Sequence, residues 1–173
     1  MDTAALATRV ADRFGDHLLA SDDFRGQASV TIGPDTLVDM LVFLRDEADL
    51  DFNMLMDIGG VDYLDYDDRD WRFEVVYQMY SIDKNHRFRV KVAIPDDTVS
   101  LPSVWTLWRV ANWMEREVFD LFGLNFMGHP NLRRILCHEE FKGHALRKDY
   151  PINRRQTLSR PVEMILTDDP DWA

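Results

Sequence analysis

Cysteine is nearly absent: among 173 residues only Cys137 carries a thiol. A single thiol excludes an internal disulfide and points to a reducing, cytoplasmic setting. It also falls short of the four cysteines that an iron–sulfur cluster ordinarily takes, so no cluster is expected on this chain. Long apolar runs are missing as well, since no stretch approaches the roughly 18 residues that suggest a membrane-spanning helix. The opening M-D-T-A-A-L-A-T-R-V-A-D-R-F intersperses acids and has no positive region before an apolar stretch, which predicts no secretory leader. Neither a G-x-G-x-x-G turn after a strand nor a G-x-x-x-x-G-K-[ST] loop occurs. NADH, flavin and nucleotides are therefore not expected as direct ligands.

What is present is acid, unevenly spread. The net charge of −11 divides into −12 over residues 1–132, +5 over 133–160 and −4 over 161–173. An acidic body with a basic strap and an acidic tip lacks the broad basic face that nucleic-acid binding needs. It suits complementary docking onto protein neighbours.

Hydrophobic periodicity predicts an α+β fold. Leu6, Val10, Phe14 and Leu18 recur at helical spacing over residues 3–19. The run Q-A-S-V-T-I reads as a strand ending at Gly33-Pro34, after which Leu37, Met40, Leu41, Leu44 and Ala48 form the stripe of a second helix. Asn53 to Val61, with two glycines, predicts a central strand with a bulge or a close backbone approach. Phe73, Val75, Tyr77 and Met79, then Phe88, Val90, Val92 and Ile94, alternate with polar or outward residues and form a hairpin around D-K-N-H. A helix is expected from Pro102-Ser103 to Gly123, with Val104, Leu107, Trp108, Ala111, Val118 and Leu121 inward. Trp105 and Trp113 fall off that stripe, where aromatics can snorkel or fill a second core and are also what an obligate interface uses. Beyond Asn125 the periodicity fades among Gly128, Pro130, Gly143, Pro151, Pro161 and Pro170. The expected architecture is a two-layer domain over residues 1–124, a mixed sheet packed by helices, followed by an irregular docking arm over 125–173.

Residues 113–136 place charge where a lone helix would not. Glu115, Glu117 and Asp120 lie near the helix end, where the dipole favours cations. Arg116 sits among them, and Arg133, Arg134, Arg147 and Lys148 follow. A structural ion-pair network is the expectation, with Glu117, Asp120, Arg133 and Arg134 as its centre. Catalysis has little support. Glu115 and Glu117 are two apart on a helix and point to different faces, which does not aim both at one bond. Ser100, Ser103 and Ser159 lack an elbow motif, and Cys137 lacks an activating arrangement. His129, His138 and His144 are wrongly spaced for a zinc helix and read as loop anchors. The acidic stretch Asp62 to Asp70 lacks the glycine and terminal glutamate of a calcium loop and reads as a solvated connection.

The order E-R-E, two residues, D, then G-H-P-x-L-R-R-I-L, then F-K-G-H-A-L-R-K-D-Y-P at residues 141–151, resembles the C subunit of bacterial NADH:quinone oxidoreductase, the thirty-kilodalton subunit family of respiratory complex I. D-I-G-G-V-D-Y at residues 57–63 resembles that family's central strand. Where the family commonly has G-H-P-L-R-K-D, this chain has Ala145 in place of the proline, which predicts a less rigid loop. The signature carried by the resemblance comprises Glu115, Arg116, Glu117, Asp120, Gly128, His129, Pro130, Arg133, Arg134, Gly143, His144, Arg147, Lys148 and Asp149.

The resemblance implies a non-catalytic, cofactor-free subunit of the hydrophilic arm of a proton-translocating NADH:quinone oxidoreductase, with flavin and iron–sulfur clusters on partner subunits. It implies a hetero-oligomer with the large quinone-site subunit and the neighbouring iron–sulfur subunits, peripheral on the cytoplasmic side of the cell inner membrane. The equivalent subunit of a membrane-bound hydrogenase, or of a ferredoxin- or deazaflavin-dependent quinone reductase, is the related alternative. A free-standing anion-binding regulatory module built on Arg133, Arg134, Arg147 and Lys148 is the alternative from a different class.

Overall fold

Gly15 interrupts the first amphipathic stripe. Helix α1 therefore runs only over Thr3–Phe14, and after a short 3-10 turn at Gly15–His17 the chain enters strand β1, Leu18–Phe24. The sequence gives no sign of β1, because L-L-A-S-D-D-F does not alternate and the strand is exposed along nearly all its length. The structure, a computed structural model, describes residues 3–66 and 68–159. The acidic tip and the last prolines of the expected arm lie outside them.

The remaining elements are β2 (Gln27–Ile32), α2 (Leu37–Asp46), β3 (Met54–Asp62), β4 (Phe73–Ser81), β5 (His86–Ile94), β6 (Leu101–Pro102), α3 (Ala111–Phe122) and β7 (Phe126–Met127). β1 to β5 form one mixed sheet in the order β1-β2-β5-β4-β3, with β2 and β5 parallel and the other pairs antiparallel. The fold is α+β, as expected. Phe73, Val75, Tyr77 and Met79 of β4 and Phe88, Val90, Val92 and Ile94 of β5 are buried with Leu6 and Val10 of α1 and Leu37, Met40, Leu41 and Leu44 of α2. Each such side chain contributes roughly 1.5–3 kcal/mol through removal from water.

Three expectations need correction. β3 is an edge strand, not a central one, because β5 joins the two halves of the sheet. Its irregularities are those the sequence announced: the register shifts between Leu55 and Asp57, and at Gly60 an added Cβ would stand 2.6 Å from the Phe122 ring. The helix does not begin at Pro102. Leu101–Pro102 pairs in parallel with Phe126–Met127, the Ser103 N–H donates to Met127 O, and residues 104–110 make isolated turns before α3 starts at Ala111. The loop after β3 is not wholly solvated either, since Asp62 is buried. Leu124 and Phe126 are buried with the core.

Candidate functional site around the end of helix α3

Helix α3 ends because Gly123 takes a left-handed conformation, φ +76°, with its N–H on Phe119 O at 2.8 Å. That ending exposes the last carbonyls of the helix, and the following chain satisfies them. Asp120 O accepts from His144 Nδ1 at 2.9 Å and from Arg134 Nη1 at 3.3 Å. Leu121 O accepts from Leu146 N–H at 3.1 Å, and Phe122 O accepts from Arg147 Nε. Cations thus meet the negative end of the helix dipole, as the acid-rich helix end required. An added Cβ at Gly123 would lie 2.5 Å from His144 Nε2, so the close approach itself demands glycine.

Asp120 is the hub. Its side chain is 0% exposed. One oxygen accepts from Arg134 at 2.7 Å, and the other accepts three consecutive backbone N–H groups, those of Ile135, Leu136 and Cys137, at 3.0, 2.7 and 2.8 Å. Burial alone would raise its pKa, but these donors outweigh burial and hold the carboxyl down at about 2. Arg134 also reaches Gly143 O at 3.0 Å, tying residues 133–143 to the helix.

A second carboxylate clamp lies beside it. Asp62 accepts a two-pronged bond from Arg72, both contacts 3.2 Å, together with the N–H groups of Leu64 and Lys148, each at 2.9 Å. These donors overcome burial and lower its pKa. Arg72 continues to Asp149 at 2.6 Å, and Arg147 reaches Asp97 at 2.7 Å. Asp62, Arg72 and Asp97 escaped the sequence reading because nothing local marks their partners, which lie 50 or more residues away for Asp97–Arg147 and Arg72–Asp149.

Glu115 behaves differently. Also 0% exposed, it accepts from Ser103 Oγ at 2.5 Å and Val104 N–H at 2.7 Å and has no arginine partner among the described residues, contrary to the expected pairing. Its nearest basic group is His129, 4.0 Å away. That ring places Nε2 at 3.0 Å from Asn112 O and accepts the Asn131 N–H at Nδ1, an arrangement that suits neutral imidazole. Burial therefore wins, and the Glu115 pKa rises to about 7. The Tyr77 hydroxyl, buried without a hydrogen-bond partner among the described residues, is pushed well above the usual phenol range by burial and by the charge of Glu115.

The rest of the signature divides. Arg116 is buried and donates to Arg133 O and Arg134 O, both at 3.1 Å. Gly143 backs onto the Tyr150 ring, and Gly128 O accepts the Trp105 indole N–H at 3.0 Å. His129 and His144 each hydrogen-bond a backbone carbonyl of α3, whereas the buried Nδ1 of His138 has no partner among the described residues. Glu117 and Arg133 are not part of the Asp120 network: both side chains are exposed and neither forms an ion pair among the described residues. Lys148 is exposed, with Nζ 5.1 Å from the Tyr66 ring centre, and Pro130 is exposed in the turn after His129. The four cations of the anion-binding alternative do not converge, because Arg134 and Arg147 are engaged inside the chain. Among the described residues no three His, Cys, Asp or Glu side chains are grouped as metal ligands. An open cavity of about 990 Å³ lies away from the signature, lined by residues that include Phe14, Asp39 and Phe43.

Comparison with known families decides the relationship. Residues 30–156 match the model of the family described as respiratory-chain NADH dehydrogenase, 30 Kd subunit. The chain belongs to this family. The C subunit of the NADH-quinone oxidoreductase of Roseiflexus sp. (strain RS-1) is 44% identical over 156 residues, 90% of this chain and 88% of the relative. Its counterpart in Geobacter sulfurreducens is 42% identical over 144 residues, 83% of this chain and 86% of the relative. Among solved structures, a trypsin-resistant fragment (1–134) of Nqo5 superposes with a TM-score of 0.66 at 34% identity, covering 76% of this chain and all of the fragment. A chain from an archaeal membrane-bound sulfane sulfur reductase has a TM-score of 0.70 at 19% identity, covering 95% of this chain and 89% of that one, a likeness of fold alone.

Proposed function

We propose that this chain is a cofactor-free, non-catalytic subunit of the hydrophilic arm of a proton-translocating NADH:quinone oxidoreductase. It holds the large quinone-site subunit and the neighbouring iron–sulfur subunits in register while electrons pass from NADH to quinone through flavin and clusters carried by other chains. It sits peripherally on the cytoplasmic side of the cell inner membrane; among the described residues no helix is long and apolar enough to cross one. The observation that carries this reading is the satisfaction of Asp120. Its side chain is closed to solvent, and its oxygens and the helix carbonyls beside it accept from donors in residues 134–147, so the most strongly built part of the signature is engaged inside the chain.

The family names of the relatives support the NADH-linked reading over the hydrogenase and ferredoxin alternatives. The test is quinone reductase activity normalised to intact complex on a native gel, for Asp120→Asn and Arg134→Met. The expected outcome is less assembled complex with near-normal turnover in each complex that forms. Full assembly with turnover reduced about a hundredfold, roughly 2.7 kcal/mol in activation free energy, would put these residues in the chemistry.

A further inference from the structure

Helix α3 buries Ala111, Glu115, Arg116, Val118, Asp120 and Phe122, yet shows solvent a face made of Val110, Trp113 and Glu117, at i, i+3 and i+7. Trp113 is 60% exposed. Its indole is backed by the Arg116 guanidinium, 5.0 Å from the ring centre, and Arg116 is itself fixed by Arg133 O and Arg134 O. This chain of contacts favours one orientation of an exposed aromatic before any partner arrives, which lowers the entropy lost on binding. Glu117 follows one turn along, and Arg133 lies beside the same arginine through its carbonyl; both charges are exposed and unpaired among the described residues.

Resting on the subunit reading above, we propose that this face of α3 is the seat of one neighbouring protein subunit of the same complex, which receives Trp113 in an apolar pocket rimmed by a cation for Glu117 and a carboxylate for Arg133. A backed tryptophan between charges of opposite sign is hot-spot chemistry for a protein surface. An anionic lipid surface would meet Glu117 unfavourably, and a second copy would bring together two bodies of net charge −11.

The test places the photo-crosslinking residue p-benzoylphenylalanine at position 113 of the full chain in the intact membrane complex, with a parallel probe at Ile152 in the exposed arm. The expected result is a crosslink from 113 to one other subunit, identified by mass spectrometry. Trp113→Ala should release this chain from the complex at least about thirtyfold faster while leaving the isolated chain's circular dichroism unchanged. A 113–113 product of doubled mass, a lipid adduct, or no crosslink at 113 while Ile152 labels a neighbour would overturn the inference and leave the subunit reading standing. Failure of both probes to label any other chain would remove the subunit reading with it.

Discussion

Glu115 and Asp120 lie on the same helix, both closed to solvent, and are held in opposite ways. Asp120 collects three backbone N–H groups and a guanidinium, so its charge is better solvated inside the protein than in water, and its pKa falls to about 2. Glu115 collects one hydroxyl and one N–H beside a histidine that suits the neutral form, and its pKa rises to about 7. Burial is common to both. Glu115 is the more deeply buried of the two, and depth of burial together with the number of donors decides the sign.

The contrast teaches how an acid-rich helix end is tolerated. At Asp120 the negative charge and the helix carbonyls are answered by the same segment, residues 134–147, which therefore stays against the body. At Glu115 no cation among the described residues answers, and the proton itself becomes the counterion near neutral pH. A motif of three carboxylates thus comprises a clamp, a buried proton site and, in Glu117, an exposed charge free to meet another molecule.

The largest effect should come from breaking the clamp. Asp120→Asn turns an NH2 toward either Arg134 or a set of N–H donors, and should cost about 3–5 kcal/mol in urea unfolding of the isolated chain. It should also open the arm: trypsin, which should first cut the exposed Arg154 and Arg155, should now cleave at Arg133 and Arg134. Unchanged protection of that segment would mean that Asp120 does not hold it.

Next comes Glu115→Gln, predicted to stabilise. Because the folded pKa of Glu115 lies above its unfolded value near 4.5, stability from the neutral form is complete below pH 4.5 and is lost as pH rises through about 7. The glutamine variant should be more stable than the parent by up to about 3 kcal/mol at pH 8, with the gain shrinking to nothing near pH 4. A variant less stable than the parent at pH 8 would show that the charged form is welcome there.

On the acid side the sign reverses. Asp120 is depressed from 3.8, so its contribution is present above pH 4 and is lost as pH falls through about 2, a slope worth about 2 kcal/mol that Asp120→Asn should abolish. The smallest effect is at the rim: Asp97 is 46% exposed, and Asp97→Asn should change stability by no more than about 1 kcal/mol despite its 2.7 Å contact with Arg147.

The sheet hairpin and α2 were legible in the sequence because alternation and a helical stripe reflect burial directly, and Gly123 was legible because a helix that stops needs such a residue. β1 was not, since an exposed edge strand carries no apolar alternation. The clamp was half legible. Acids at a helix end require cations, which pointed to Arg134, but the choice between Asp120 and Glu117 as its partner depends on which side of α3 the arm crosses. The isolation of Glu115 followed from Ser103 and Val104 lying outside any helix, which the apolar stripe through Val104 and Trp108 concealed. Asp62 was hidden beside Asp65, Asp68 and Asp70, which are solvent-facing, its partner Arg72 unmarked by any spacing.

Carboxyl titration by carbon-13 nuclear magnetic resonance, on the full chain labelled at Asp and Glu, tests the opposition of the two acids directly. The expected result is one Glu resonance, lost in Glu115→Gln, titrating near pH 7, and one Asp resonance, lost in Asp120→Asn, still ionised at pH 3. Both groups titrating together around pH 4 would contradict the account, because donors could not then be what separates the clamp from the proton site.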